Sequence, residues 1–162
     1  MKDLSLNDFV YIKESELDKD FCQHIIDKFE KDDRKAQGIV GGGLRTDIKK
    51  STDLSMTHVS GWEEEDKIFY KSLNKNIINY EKTRGAMYRK FILEETEKTK
   101  VEDSGYQIQR TKPKEYYVWH HDQASFRSRR LTYIWYLNDV KDGGYTQFNT
   151  GLKIHPEAGK MM

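Results

Sequence analysis

Tyr116-Tyr117-Val118-Trp119-His120-His121-Asp122 is the stretch on which the reading of this chain turns. Its aromatic and β-branched residues favour a strand, and on a strand positions i and i+2 share a face. His120 and Asp122 would then point the same way and could hold one metal ion between them. An imidazole and a carboxylate joined by a distant histidine make the 2-His-1-carboxylate facial triad, which leaves positions on the ion open. His121, on the other face, is expected to be second-sphere or solvent-facing. An H-x-D alone is a weak signal, because a histidine on a strand is more often structural or exposed.

Working outward, short aromatic or β-branched segments at 106–110, 131–137, 145–148 and 152–155 read as further strands. Lys141-Asp142-Gly143-Gly144 and Pro156-Glu157-Ala158-Gly159 are the turns between them. Towards the N-terminus the period becomes helical. An edge strand is expected at 9–12, followed by a capping box at Ser15-x-x-Asp18. That box would open a helix with Phe21, Ile25, Ile26 and Phe29 on one face. A short strand is expected within 52–59. From Trp62 a long helix begins with the acidic run Glu63-Glu64-Glu65-Asp66, placed to favour the helix dipole, and carries Phe69, Leu73, Ile77 and Tyr80 as its apolar stripe. Gly41-Gly42-Gly43 lacks the following Lys-Ser/Thr of a phosphate cradle and reads as a flexible loop. The charged segment 84–103 has no clear period.

Helices first and many short strands later give an α+β class, with a jelly roll or related barrel in the later half. The expected organisation is a single domain over 1–162, in which 1–103 is a helical covering region with edge strands and 104–162 holds the first barrel strands. A formal charge of +1 removes any whole-protein electrostatic case for nucleic acid or membrane. The lone Cys22 excludes an internal disulfide framework. No apolar run approaches the roughly 20 residues needed to span a bilayer. With no signal-peptide core at its start, the chain is expected to be soluble and cytoplasmic.

The stretches GYQIQRTKPKEYYVWHHD (105–122), RRLTYIWYLNDVKDGGYTQF (129–148) and LKIHPEAGK (152–160) carry a more specific signal. Together, in this order, they resemble the prolyl-4-hydroxylase-like branch of the Fe(II)/2-oxoglutarate dioxygenases, including the small oxygenases of marine phages and bacteria. The resemblance implies N-terminal helices packed on a double-stranded β-helix, a cupin-like jelly roll, with Fe(II) in its mouth. It also implies 2-oxoglutarate and O2 as cosubstrates, ascorbate as an optional reductant, and hydroxylation of an unactivated C–H bond. His120 and Asp122 match the first two iron ligands. Tyr136 stands where related hydroxylases hydrogen-bond the far carboxylate of 2-oxoglutarate; its other reading is a core tyrosine satisfied by a neighbour. Thr111 falls where many relatives place another cosubstrate tyrosine. Being shorter, it leaves that contact to Gln109, two residues earlier on the same face. Tyr117, Trp119 and Arg127 are the candidate substrate contacts. Arg127, Arg129 and Arg130 would meet an acidic substrate at the rim or form a solvated basic loop. Gly143-Gly144-Tyr145-Thr146 replaces the Gly-Gly-Glu-Thr common in the family.

The family's third ligand, a histidine, and the cation that pairs with 2-oxoglutarate follow the Pro-x-x-Gly turn, where this sequence has Lys160, Met161 and Met162. The expectation is therefore a β-helix incomplete at its C-terminus, a truncated form with weak iron binding and little turnover. His155 and His58 are the first substitutes to consider for the missing ligand. Open strand edges near Ile134 and Ile154 would recruit a second copy, giving a homodimer or swapped oligomer. The alternative is a non-catalytic cupin-like binding module. A nucleic-acid modifier would need a basic groove with interleaved aromatics, and a charge near zero argues against it. The hydroxylation substrate stays open among peptidyl proline, another side chain, a small molecule and a nucleobase, and no catalytic residue beyond the ligands is assigned.

Overall fold

A computed structural model of the chain describes residues 6–88, 102–122 and 129–162. Contacts divide the chain into two units, one within Met1–His24, Ile68–Asp103 and Tyr133–Met162, the other within Ile25–Lys67 and Ser104–Thr132. Among the described residues the architecture is α+β, with two α-helices and small antiparallel sheets. Among the described residues no helix is long and apolar enough to cross a membrane.

In the first unit the expected edge strand at 9–12 is not formed: a 3-10 turn at Leu6–Phe9 takes in its first residue, and residues 10–12 belong to no strand. The Val10 amide bonds to the Asn7 carbonyl at 3.1 Å, so its donor is satisfied locally rather than across a sheet. Helix α1 (Lys19–Lys31) is capped by Asp18, whose Oδ1 accepts from the Asp20 amide at 2.8 Å. The capping box is thereby corrected, since Ser15 lies outside the helix at φ 50° and Asp18 is itself the cap. Helix α2 (Glu63–Tyr88) starts at the acidic run, as its dipole argument requires, and kinks at Arg84. Its residues Phe69, Leu73 and Tyr80 are buried with Leu17, Cys22, Ile154 and Met161. Burying each such large side chain stabilises by roughly 1.5–3 kcal/mol.

Segment 131–137 is not a continuous strand, yet 134–136 pairs in antiparallel fashion with 159–162. The Ile134 and Met162 backbones exchange bonds at 3.0 and 2.9 Å, and the Tyr136 amide bonds to the Lys160 carbonyl at 2.9 Å. Met161 forms bridges on both sides, to Trp135 and to Lys13. Trp135 leans on Phe69, with ring centroids 5.0 Å apart, and its indole N–H donates to Ser72 Oγ at 3.0 Å. The Ser72 hydroxyl in turn donates to Glu16 Oε1 at 3.0 Å, so this polar chain is satisfied within the core. Gly159 makes the preceding turn possible. Its φ is +87°, and a Cβ there would collide with the Leu17 carbonyl oxygen.

In the second unit, Ile25 and Phe29 of α1 are buried with Leu54, Met56, Trp62, Tyr106 and Ile108. Strands β1 (Ala36–Gln37), β3 (Thr52–Ser55) and β4 (Gln107–Arg110) form one antiparallel sheet in the order β1-β3-β4. Leu54 opposes Ile108 in this register, so the two buried side chains meet on one face. The glycine run closes a tight turn, with Val40 and Gly43 exchanging backbone bonds at 3.0 and 2.8 Å. Strands β2 (Lys49–Lys50) and β5 (Tyr116–Tyr117) form a separate two-stranded ribbon. In the first unit, β6 (Thr146–Gln147) and β7 (Lys153–Ile154) make a third small sheet.

Candidate metal centre

The strand expected over 116–122 stops at Tyr117, and that expectation is corrected. Its partner β2 is two residues long and follows a turn in which the Ile48 and Lys49 amides bond to the Arg45 carbonyl. Beyond the Val118 amide, which bonds to the Ile48 carbonyl at 3.0 Å, this segment pairs with no strand among the described residues. His120 and Asp122 thus come together through a bend rather than through strand alternation.

Two contacts fix the imidazole. Its ring stacks on Tyr117 with centroids 3.6 Å apart and planes 13° from parallel. Nδ1 lies 2.8 Å from the Val118 carbonyl oxygen. A carbonyl only accepts, so Nδ1 carries a proton, and in the neutral ring Nε2 is the nitrogen left to coordinate a metal. Nε2 lies 3.6 Å from Asp122 Oδ1. Asp122 is held in turn by the Thr132 hydroxyl, which donates to Oδ2 at 2.7 Å, while Arg129 Nη1 lies 3.5 Å from Oδ1. Burial pushes the Tyr117 hydroxyl up from its ordinary pKa, Asp122 adds to that push, and Arg129 opposes it.

Two donor atoms that face each other in this way suit a cation between them. Metal–nitrogen and metal–oxygen bonds of about 2 Å can bridge donors up to about 4 Å apart, and the 3.6 Å separation falls inside that reach. Among the described residues no group of three or more His, Cys, Asp or Glu side chains is placed to hold a metal. The pair supplies two donors and leaves the remaining positions to other ligands.

The other candidates are spread across both units. His121 is exposed, Trp119 is 66% exposed, and the Tyr116 hydroxyl donates to the Thr46 carbonyl at 3.0 Å. Gln109, on β4, and Thr111, just past it, are exposed. His58 and His155 are exposed too, and Arg127 lies outside the described residues. In the first unit the Tyr136 hydroxyl donates to Thr146 Oγ1 at 2.6 Å and has Met162 Sδ at 3.6 Å. Burial pushes that hydroxyl up as well. Lys160 is buried there; burial opposes its charge, and Glu157 and Glu14 outweigh that effect and hold its pKa above the ordinary lysine range.

Sequence reasoning missed the polar cluster beside Tyr117. Lys49, 5% exposed, pairs with Asp53 at 2.6 Å and stands 5.4 Å from the Tyr117 ring centroid. Ser51 and Gln107 also donate to Asp53, at 2.7 and 2.6 Å. Two lysines at 49–50 read as surface in the sequence, and only the pairing of β2 with β5 turns one of them inward.

Residues 106–162 match the 2OG-Fe(II) oxygenase superfamily. The matching oxygenase segment covers about the last third of the chain and contains His120, Asp122, Arg129 and Thr132, the residues gathered at the site. No curated protein and no solved structure matches the chain.

Proposed function

We propose that the chain is an Fe(II)- and 2-oxoglutarate-dependent oxygenase of the prolyl-4-hydroxylase-like kind, built on a double-stranded β-helix. The observation that carries this reading is the facing pair of His120 Nε2 and Asp122 Oδ1 inside the oxygenase-matching segment. Bound Fe(II) would supply the O2 activation that couples conversion of 2-oxoglutarate to succinate and CO2 with hydroxylation of a C–H bond. The protein's own part is positional. The Val118 carbonyl and the Tyr117 ring keep Nε2 aimed at the ion's place, and Thr132 holds the carboxylate so that Oδ1 faces the same place. Tyr117, stacked on His120, and the exposed Trp119, its chain neighbour, are the proposed contacts for the hydroxylation substrate.

The test is an anaerobic Fe(II) titration followed by measurement of CO2 release from 2-oxoglutarate in air. Weak Fe(II) uptake and a low but iron-dependent CO2 release, both lost in His120→Ala, are the expected results. Iron uptake without CO2 release would instead place the chain among non-catalytic cupin-like modules.

A further inference from the structure

Arg129 stands beside the ligand pair but cannot join it, because a guanidinium donates hydrogen bonds and does not coordinate cations. Its Nη1 is 3.5 Å from Asp122 Oδ1, the oxygen that faces His120 Nε2 at 3.6 Å. Thr132 occupies Oδ2, so Asp122 has one oxygen to offer to both cations. Once a divalent ion takes Oδ1, Arg129 retains its charge within roughly 6 Å of that ion, given a metal–oxygen bond of about 2 Å. An anion lying between the two relieves the repulsion. The Arg129 side chain is 56% exposed, so it can turn from Oδ1 towards such an anion without unpacking a core.

On the oxygenase reading given above, we propose that Arg129 binds the metal-chelating carboxylate of a 2-oxo acid. Reach selects this end of the ligand. The chelating carboxylate sits on the ion itself, whereas the far carboxylate of 2-oxoglutarate lies several bonds further away. Charge-assisted hydrogen bonds to a carboxylate give the contact its strength and its direction.

The experiment is a pair of calorimetric titrations. Mn(II) alone is titrated first, and then 2-oxoglutarate or 2-oxobutanoate, which lacks the far carboxylate, is titrated into the Mn(II)-loaded protein. Arg129→Gln is expected to bind Mn(II) at least as tightly as the natural chain, since a competing cation has left Oδ1. It is expected to lose about 10-fold or more in affinity for both keto acids by the same factor, with Arg129→Lys recovering part of the loss. Keto-acid affinities within twofold of the natural chain, or a loss confined to 2-oxoglutarate, overturn the proposal while leaving the metal site intact. Failure of the natural chain to take up Mn(II) overturns the oxygenase reading, and this proposal with it.

Discussion

The imidazole of His120 lies flat against the phenol ring of Tyr117, 3.6 Å between centroids, while its Nδ1 is tied to the Val118 carbonyl. One strand-end residue thus sets the plane of the candidate ligand and its neighbour sets the tautomer. Tyr117→Ala should weaken Mn(II) binding by about 10-fold or more, the range typical for groups that orient a ligand. Tyr117→Phe, which keeps the ring, should stay within about threefold. Calorimetric titration decides the matter, and an unchanged affinity in Tyr117→Ala would remove the stack from any orienting role.

Thr132 holds the carboxylate from the other side, through a 2.7 Å bond to Asp122 Oδ2. Thr132→Val keeps the shape and deletes that bond, so metal affinity should fall about 10-fold. The melting temperature should barely move, because Thr132 is exposed. Parallel titration and thermal melts separate the two effects.

Lys49, buried, pairs with the half-buried Asp53, their side chains 6% and 11% exposed. Lys49→Met leaves the carboxylate without its cation and should cost about 3 kcal/mol or more in a urea titration. A smaller loss in the double variant Lys49→Met/Asp53→Leu than in the single one would identify the stranded charge as the cause. Equal losses would count against it.

Asp32 accepts hydrogen bonds from Arg34 and from the Trp62 indole, in that order of effect, and its carboxyl is held well below the usual range. A depressed folded-state pKa contributes stability that is present above the unfolded value, about 3.9, and is lost as pH falls below it. Asp32→Asn should therefore be less stable than the natural chain at neutral pH. The difference should narrow on acidification below about pH 4. Urea midpoints measured from pH 7 to pH 3 give the comparison, and a gap independent of pH would contradict the assignment.

Gly159 combines φ +87° with a backbone oxygen where a Cβ would sit. Gly159→Ala should destabilise by about 2 kcal/mol or more, read as a lower urea midpoint. A neutral outcome would mean that the Leu17 segment can withdraw at little cost.

The helices were legible because α1 and α2 repeat apolar residues at local spacing, so Phe29, Phe69, Leu73 and Tyr80 announced their burial. Sheet edges were less so. The length of β5 depends on the two residues of β2, more than sixty positions away in sequence, and no local pattern reports that. His120 and Asp122 were legible as a pair, although a bend and a stacked ring bring them together rather than strand alternation. Thr132 and Arg129 became partners of Asp122 only through the path of the chain, since a threonine and an arginine in a basic stretch look like surface.

The double pairing of Met161, to Lys13 on one side and Trp135 on the other, also orders events during synthesis. The segment around Lys13 leaves the ribosome early, and its bridge to Met161 cannot form until residue 161 has been made. The first unit consequently closes late, around contacts of very large sequence separation, and its early segments are open to chaperones in the meantime.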